Sequence, residues 1–443
     1  MNKNPFVVSL AFVILAGCTP GSHSSSDDAI VYSPKKEDLI QAKPPALAAR
    51  TLLYKNDATV SYCESSLDGT QSYSGYRDHK LYPSASVSKV FLTAFALSRL
   101  GTDYKFTHEW RLRKNANGSF DAYLNSNFDP VFNIEKVLYT MSHLQRYGVT
   151  NIRNLYISKS TRVYLSVLNN PHIELDSVPV GHDQSIDNLK LIFNSSNWGS
   201  QTDQARKNIV DYFDLQGKNI DLPSSYSVQN VILDSNGQVA SSFANSTALN
   251  IQSTSLFRYL KEINLNSNNY MSDALFALLG GEAGFRQFQK EKLGLDLDAL
   301  IMKTGSGLPV NISGERIDNK ATCFSILKVM HFIKLIADQA SLDLGYILLT
   351  AGLDRGTYET DLVINKSVVL KTGRLYDVPT LNLAGIVSTQ KGLMVFGFLG
   401  HDFSNEDEKD MIDKRDNLLQ DLLNFYKEKP LFKTLLQNDI FFL

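Results

Sequence analysis

Apolar residues recur at helical spacing in some stretches of the chain and gather in strand-like runs in others. Val87, Val90, Phe91, Ala94, Leu97 and Leu100 fall on one face of a helix that begins after Pro83 and stops at Gly101. The same period predicts helices over 134–147, 254–263, 270–279, 321–340 and 406–426. The polar break Leu265-Asn266-Ser267-Asn268-Asn269 separates two of them. Strands are predicted over 49–54 and 59–63, around the turn Asn56-Asp57, and over 152–157, 228–233 and 367–370. Residues 108–113 and 119–124 flank Asn117-Gly118 and read as a hairpin, as do 381–388 and 393–399 around Gln390-Lys391-Gly392. Residues 64–81 read as a loop, and the stretch between 158 and 228 is loop-rich without a clear period.

Strands near both chain ends with helices between them predict an α+β unit, an antiparallel sheet flanked by helices. The texture changes over 104–245, which predicts an inserted smaller accessory domain. The catalytic domain then comprises 31–103 and 246–443. No internal repeat is visible.

Composition narrows the function classes. The 443 residues are 43% hydrophobic and 20% charged with net charge −2, so no basic excess points to nucleic acid as a partner. At the N-terminus Lys3 precedes an apolar run over 6–16, too short to span a bilayer and suited to a signal peptide over 1–17. The run ends in Leu15-Ala16-Gly17-Cys18, which resembles the bacterial lipobox. That resemblance implies cleavage before Cys18, acylation of Cys18, a Ser-rich tether over 18–30, and a periplasmic protein anchored to a membrane by lipid. An ordinary signal peptide with a stray cysteine is the alternative. Export permits a disulfide between Cys63 and Cys323, but nothing in the sequence brings them together, and two buried thiols is the preferred reading.

The chemistry centres on Ser86-Val87-Ser88-Lys89. Residues i and i+3 of a helix share a face, so Ser86 and Lys89 project together from a helix start. A hydroxyl becomes a nucleophile when a neighbouring base takes its proton, and a lysine serves as that base when burial or a nearby cation disfavours its ammonium. Ser33/Lys36 and Ser325/Lys328 have the same spacing, but the first lies in a polar stretch and the second inside an apolar helix. Two further elements follow in order, Ser267-x-Asn269 and Lys371-Thr372-Gly373, the latter ending a strand. Together they form the signature set of penicillin-interacting serine enzymes. Lys303-Thr304-Gly305 repeats the third element without a strand before it. His79, His108, His143 and His331 show no metal-ligand spacing, so neither a metal nor a cofactor is expected.

Pro83-x-Ala85-Ser86-x-x-Lys89, Phe128-Asp129-Pro130, Gly305-Ser306-Gly307-Leu308, Ala351-Gly352-x-Asp354-x-Gly356-Thr357 and the Lys371 strand occur in order. This set resembles the D-Ala-D-Ala carboxypeptidase/endopeptidase family of the penicillin-binding protein 4 type, over about 49–399. The resemblance implies a β-lactamase/transpeptidase-like fold and a serine D,D-peptidase acting on peptidoglycan and acylated by β-lactams. It implies Ser86 as nucleophile, Lys89 as general base, Ser267 as proton relay, and Lys371 as a positive charge disfavouring the Lys89 ammonium. Asn269 would bind the substrate amide and Thr372 the terminal carboxylate. The backbone N–H groups of Ser86 and Arg374 would hold the oxyanion, and Gly373 counts with Arg374 among the substrate-binding residues. Arg374 stands where the family more often has threonine, and its guanidinium would either grip a carboxylate or crowd the site. The insert is shorter than is usual for the family. A wall-binding lipoprotein without turnover is the alternative from another class. A β-lactamase is the weaker enzyme rival, because Glu262 precedes Ser267 where a deacylating glutamate would follow it.

Overall fold

The computed structural model describes residues 57–67, 74–163, 168–169, 172–173 and 186–434. The leader, Cys18, the tether, the strand expected over 49–54 and the Ser33/Lys36 pair lie outside the described residues. The chain opens with β1 (Val60–Ser66) and β2 (Ser74–Tyr76), the latter inside the stretch expected to be a loop. A short 3-10 turn, Ala85–Val87, leads into α1 (Ser88–Leu100). Then come β3 (Lys105–Lys114), β4 (Phe120–Asn125), α2 (Ile134–Arg146) and β5 (Asn151–Ser158). Two helices occupy the stretch that read as loop, α3 (Ile186–Phe193) and α4 (Ser200–Leu215). In α4, Thr202, Ala205, Ile209, Tyr212 and Phe213 are buried at helical spacing amid charged neighbours.

After β6 (Ser227–Asp234) and β7 (Thr247–Ser255) come α5 (Leu256–Asn266), α6 (Asn269–Leu278), α7 (Gly281–Phe288) and α8 (Cys323–Gln339). Thr322 caps α8 through its hydroxyl, so Ser325 lies in the first turn of that helix and not in its middle. The chain closes with β8 (Leu349–Thr350), β9 (Val368–Leu375), β10 (Thr380–Thr389), β11 (Gly392–His401) and α9 (Glu408–Tyr426).

Two sheets result. The six-stranded one has the order β8-β9-β10-β11-β1-β2 with every pair antiparallel, so the two ends of the described chain meet where β1 pairs with β11. The five-stranded one has the order β7-β3-β4-β5-β6, with its last two pairs parallel. A sheet covered on both faces reads as continuous apolar runs, and β10 and β11 do so for that reason. Val369, Ala384, Ile386, Val395 and Leu399 join one core with α1 and α8. Their neighbours Val368, Leu370, Leu383, Phe396 and Phe398 join a second core with Leu418, Leu419 and Leu422 of α9.

The two-residue period of β9 therefore sends Lys371 and Gly373 to the α1 face and Arg374 to the α9 face. Cys63 of β1 and Cys323 at the start of α8 are both buried and form a disulfide across 260 residues of sequence, which corrects the expectation of two free thiols. The pairing depends on α8 lying across the sheet, a tertiary fact that spacing along the chain does not carry. Among the described residues no helix is long and apolar enough to cross a membrane, and no cluster of His, Cys, Asp or Glu could hold a metal ion.

Candidate active site

Ser86 sits in the 3-10 turn just before α1, not in the first α-helical turn, and is partly exposed. The residue before it, Ala85, has φ +47°, a left-handed conformation that strains any residue with a Cβ by about 1 kcal/mol. The strain persists because backbone closes over the turn from two sides. A Cβ on Gly307 would lie 1.9 Å from the Ala85 carbonyl oxygen, and one on Gly373 would lie 2.9 Å from the Val87 nitrogen. Both walls must be glycine for the turn to fit. Side chains fix it further: Asn319 Nδ2 donates to Ser88 Oγ (3.0 Å) and to the Thr304 carbonyl (2.8 Å), and Asn382 Nδ2 donates to the Pro83 carbonyl (2.9 Å). The Ser84 and Ser88 hydroxyls are 2.8 Å apart.

Lys89 is completely buried. Its Nζ lies 2.9 Å from Ser86 Oγ, 2.8 Å from Asn269 Oδ1 and 2.6 Å from the Ser306 carbonyl oxygen. Two of these partners are carbonyl oxygens, which only accept. They take two N–H bonds, and the third direction faces a hydroxyl that can give as well as receive. In a neutral amine the lone pair therefore points at Ser86 Oγ, the arrangement in which lysine takes the serine proton.

Ser267 ends α5 in the left-handed region (φ +56°), the sharp stop that turns its hydroxyl out of the helix. Asn268 caps α6 by accepting from the Met271 N–H, and this cap presents Asn269 to Lys89. Lys371 is also fully buried, and its Nζ donates to Ser267 Oγ (3.2 Å) and to the Thr372 carbonyl (2.8 Å). Burial first, and then the like charge of Lys89, hold the Lys371 ammonium well below the ordinary lysine range. The two buried lysines therefore disfavour each other's charged form, while the Asp273 carboxylate interacts with Lys89.

Thr372 places its hydroxyl 2.8 Å from that of Thr357. Arg374 does not use its side chain at the site: the guanidinium pairs with Glu408 of α9 at 2.5 Å and lies over the Tyr376 ring at 4.4 Å. Lys303-Thr304-Gly305 is in no strand, as its sequence context implied. It forms part of the loop that carries Ser306. Glu262 is buried, accepts from Asn266 Nδ2 at 2.8 Å, and is pushed up to about 7 by desolvation. Asp129 is buried and receives Lys136 Nζ at 2.8 Å, while His108 Nε2 lies 3.1 Å away. His108 thus has a core ion partner.

The structure joins Ser86, Lys89 and Asn269 in one hydrogen-bonded group and Ser267 and Lys371 in a second, and the turn from Ser267 to Asn269 connects the two along the chain. Sequence patterns of the D-Ala-D-Ala carboxypeptidase 3 (S13) family match residues 56–167 and 232–422. The chain belongs to that family. It is a serine D,D-peptidase. No curated protein matches the chain by sequence. Among solved structures, a predatory endopeptidase of Bdellovibrio bacteriovorus, in complex with an immunity protein, is similar at TM-score 0.75 and 25% identity, over 86% of this chain and 98% of that one. A predatory peptidoglycan endopeptidase of the same organism is similar at TM-score 0.75 and 23% identity, over 86% and 96% of the two chains. Penicillin-binding protein 4 of Haemophilus influenzae shares the fold at TM-score 0.56 and 17% identity, over 86% and 99%.

Sequence reasoning missed three residues of this S13 site. Asp273, one turn after Asn269, accepts the Ser306 N–H at 2.8 Å and so positions the carbonyl that faces Lys89. Burial raises its carboxyl above the ordinary range. Asn319 and Asn382 brace the turn that carries Ser86 from sites far along the chain. The only sequence signal for Asp273 was its helical spacing from Asn269, which alone says nothing of a partner 33 residues on.

Proposed function

We propose that this D,D-peptidase hydrolyses the stem peptides of peptidoglycan through an acyl-enzyme on Ser86, and that β-lactams acylate the same hydroxyl. The reading is carried by the position of Lys89, whose two obligate acceptors leave its lone pair facing Ser86 Oγ at 2.9 Å. Lys89 takes the Ser86 proton as Oγ attacks the carbonyl carbon of a D-alanyl peptide bond. The oxyanion accepts from the Ser86 and Arg374 backbone N–H groups, each donor contributing on the order of 3 kcal/mol to the transition state. Ser267, held by Lys371, relays the proton taken by Lys89 to the leaving amine. Asn269 orients the substrate amide and Thr372 receives the carboxylate of the leaving residue. Water then attacks the acyl group, and the proton transfers run in reverse.

Carboxypeptidase and endopeptidase action differ only in what the leaving amine carries. The likeness to the predatory endopeptidase supports including cross-linked dimers among the substrates. We also infer export and anchoring through an acylated Cys18, supported by Lys3, the apolar run over 6–16 and Leu15-Ala16-Gly17-Cys18.

The test is a digestion of purified muropeptides containing pentapeptide monomers and cross-linked dimers, with Ser86→Ala as control and products read by mass spectrometry. Loss of one D-alanine marks carboxypeptidase action, and conversion of dimers to monomers marks endopeptidase action. If neither occurs and fluorescent penicillin does not label Ser86, the wall-binding reading replaces this one. Incorporation of a clickable fatty acid, lost in Cys18→Ser, tests the anchor.

A further inference from the structure

On the side away from β10, strand β9 pairs among the described residues only with β8, through Val369 and Leu370. Along this edge lie Lys371, Thr372 and Gly373. The loop that follows β8 returns to it and delivers Thr357, whose Oγ1 is 2.8 Å from Thr372 Oγ1 at an exposed position. The contact is built from behind. Lys261 of α5, nearly fully buried, donates to the Gly345 carbonyl (2.8 Å), the Leu348 carbonyl (2.7 Å) and Asp354 Oδ2 (2.5 Å). Asp354 Oδ2 also accepts the Thr350 N–H at 2.6 Å. The Thr357 N–H donates to the Leu265 carbonyl at 3.2 Å, two residues before Ser267. Thr357 is thus fixed to the helix that ends at the Ser267 element, and its hydroxyl faces the Lys371 strand.

Two hydroxyls that bond only each other leave one O–H turned outward. A carboxylate oxygen only accepts, so a carboxylate placed at the pair takes both O–H groups while the Lys371 ammonium lies one residue away. Position 374 would offer a third group, but its guanidinium is held by Glu408 on the α9 face. We propose that Thr357 is a second carboxylate-binding hydroxyl, which with Thr372 selects substrates whose leaving residue carries a free carboxylate. The proposal rests on the reading of Thr372 as a carboxylate ligand. It covers both modes of cleavage, because a terminal D-alanine and the D-centre of a cross-linking diamino acid each carry that carboxylate beside the scissile amide.

The test compares an N-acylated D-Ala-D-Ala peptide with its C-terminal amide, using purified wild type, Thr357→Val, Thr357→Ser and Thr372→Val. Loss of one hydrogen bond to a charged group predicts that Thr357→Val lowers the kcat/KM preference for the acid over the amide about ten- to a hundredfold, mainly through KM. Thr357→Ser restores it. A loop-anchoring role would slow both peptides alike and leave their ratio unmoved. An unchanged ratio in Thr357→Val overturns the proposal, as does a loss that serine does not restore. If Thr372→Val also keeps the wild-type ratio while both peptides are cleaved, the carboxylate subsite itself is misplaced and the proposal falls with it. If wild type cleaves neither peptide and penicillin does not label it, the peptidase reading fails first.

Discussion

Glu262 lies in the helix that delivers Ser267, and it is a buried carboxyl with a single hydrogen-bond partner. Its Oε2 accepts from Asn266, the residue next to Ser267, while Oε1 has no hydrogen-bond partner among the described residues. Desolvation therefore dominates and raises the carboxyl from 4.5 to about 7. Below pH 4.5 the group is neutral in both the folded and the unfolded chain and pH has no leverage through it. Between 4.5 and about 7 the folded state holds a proton that the unfolded chain has released, so stability falls as pH rises. At about 1.4 kcal/mol per unit, the full loss above pH 7 is about 3 kcal/mol.

Glu262→Gln mimics the neutral acid and keeps an acceptor for Asn266. Its stability should equal that of wild type near pH 4 and exceed it by about 3 kcal/mol at pH 8. Urea denaturation across that range, read by far-UV circular dichroism, measures the difference. A gap that does not change with pH, or a variant less stable than wild type at pH 8, would refute the reasoning. The same variant separates burial from chemistry: if Glu262 were a deacylating base, the penicilloyl-enzyme of Glu262→Gln would persist longer than that of wild type, whereas burial alone leaves its lifetime unchanged.

Three further outcomes are expected. Gly307→Ala places a Cβ 1.9 Å from the Ala85 oxygen at a φ of +87°, so the nucleophile turn must move and penicillin labelling should slow at least about a hundredfold in a protein that remains folded by circular dichroism. Replacing Cys63 and Cys323 by alanine opens a loop of 260 residues, and the chain-entropy account sets the loss of stability at up to about 5 kcal/mol, measured by urea denaturation against the oxidised protein. Arg374→Ala keeps the backbone N–H and removes the half-exposed pair with Glu408 and the contact over Tyr376, so labelling should stay within about threefold of wild type; a larger loss would mean the guanidinium leaves Glu408 to meet the ligand.

The parts of the fold that were legible from sequence are those in which local pattern and tertiary role coincide. The Leu393–Leu399 run is apolar on both faces because two separate cores use it, and such a run reads as a strand without further knowledge. Ser86 and Lys89 were legible because their contact is local. Lys371 was legible because a strand leads into it. The Cys63–Cys323 bond was not, since it depends on α8 crossing the sheet. Helix α4 was overlooked because its buried positions are spread among charged ones, and short loops of uneven composition surround it. The side chain of Arg374 was misjudged for a different reason. It shares a strand face with Thr372, but its guanidinium turns away to pair with Glu408 of α9, a partner 34 residues on that the strand pattern does not show.

The polar residues of α5 explain how motifs so far apart in sequence reach one register. A buried helix with an apolar surface could slide or rotate at small loss, because apolar contacts are not directional. Tyr259 instead meets Asp129 at 3.1 Å below the second sheet, and Asn264 donates to Thr93 Oγ1 at 2.9 Å on the nucleophile's own helix. Thr93 in turn donates to the Lys89 carbonyl at 2.8 Å. Lys261 holds the loop of Thr357, and the helix ends at Ser267. Each bond has one geometry in which it is satisfied, and a buried group left without its partner costs about 1–3 kcal/mol. Three such constraints on one helix, from Tyr259, Lys261 and Asn264, fix its rotation and height together. A displacement of 1 Å between nucleophile and relay can lower a rate about a hundredfold, so the buried polar atoms that look costly in the core are what set the reacting distances.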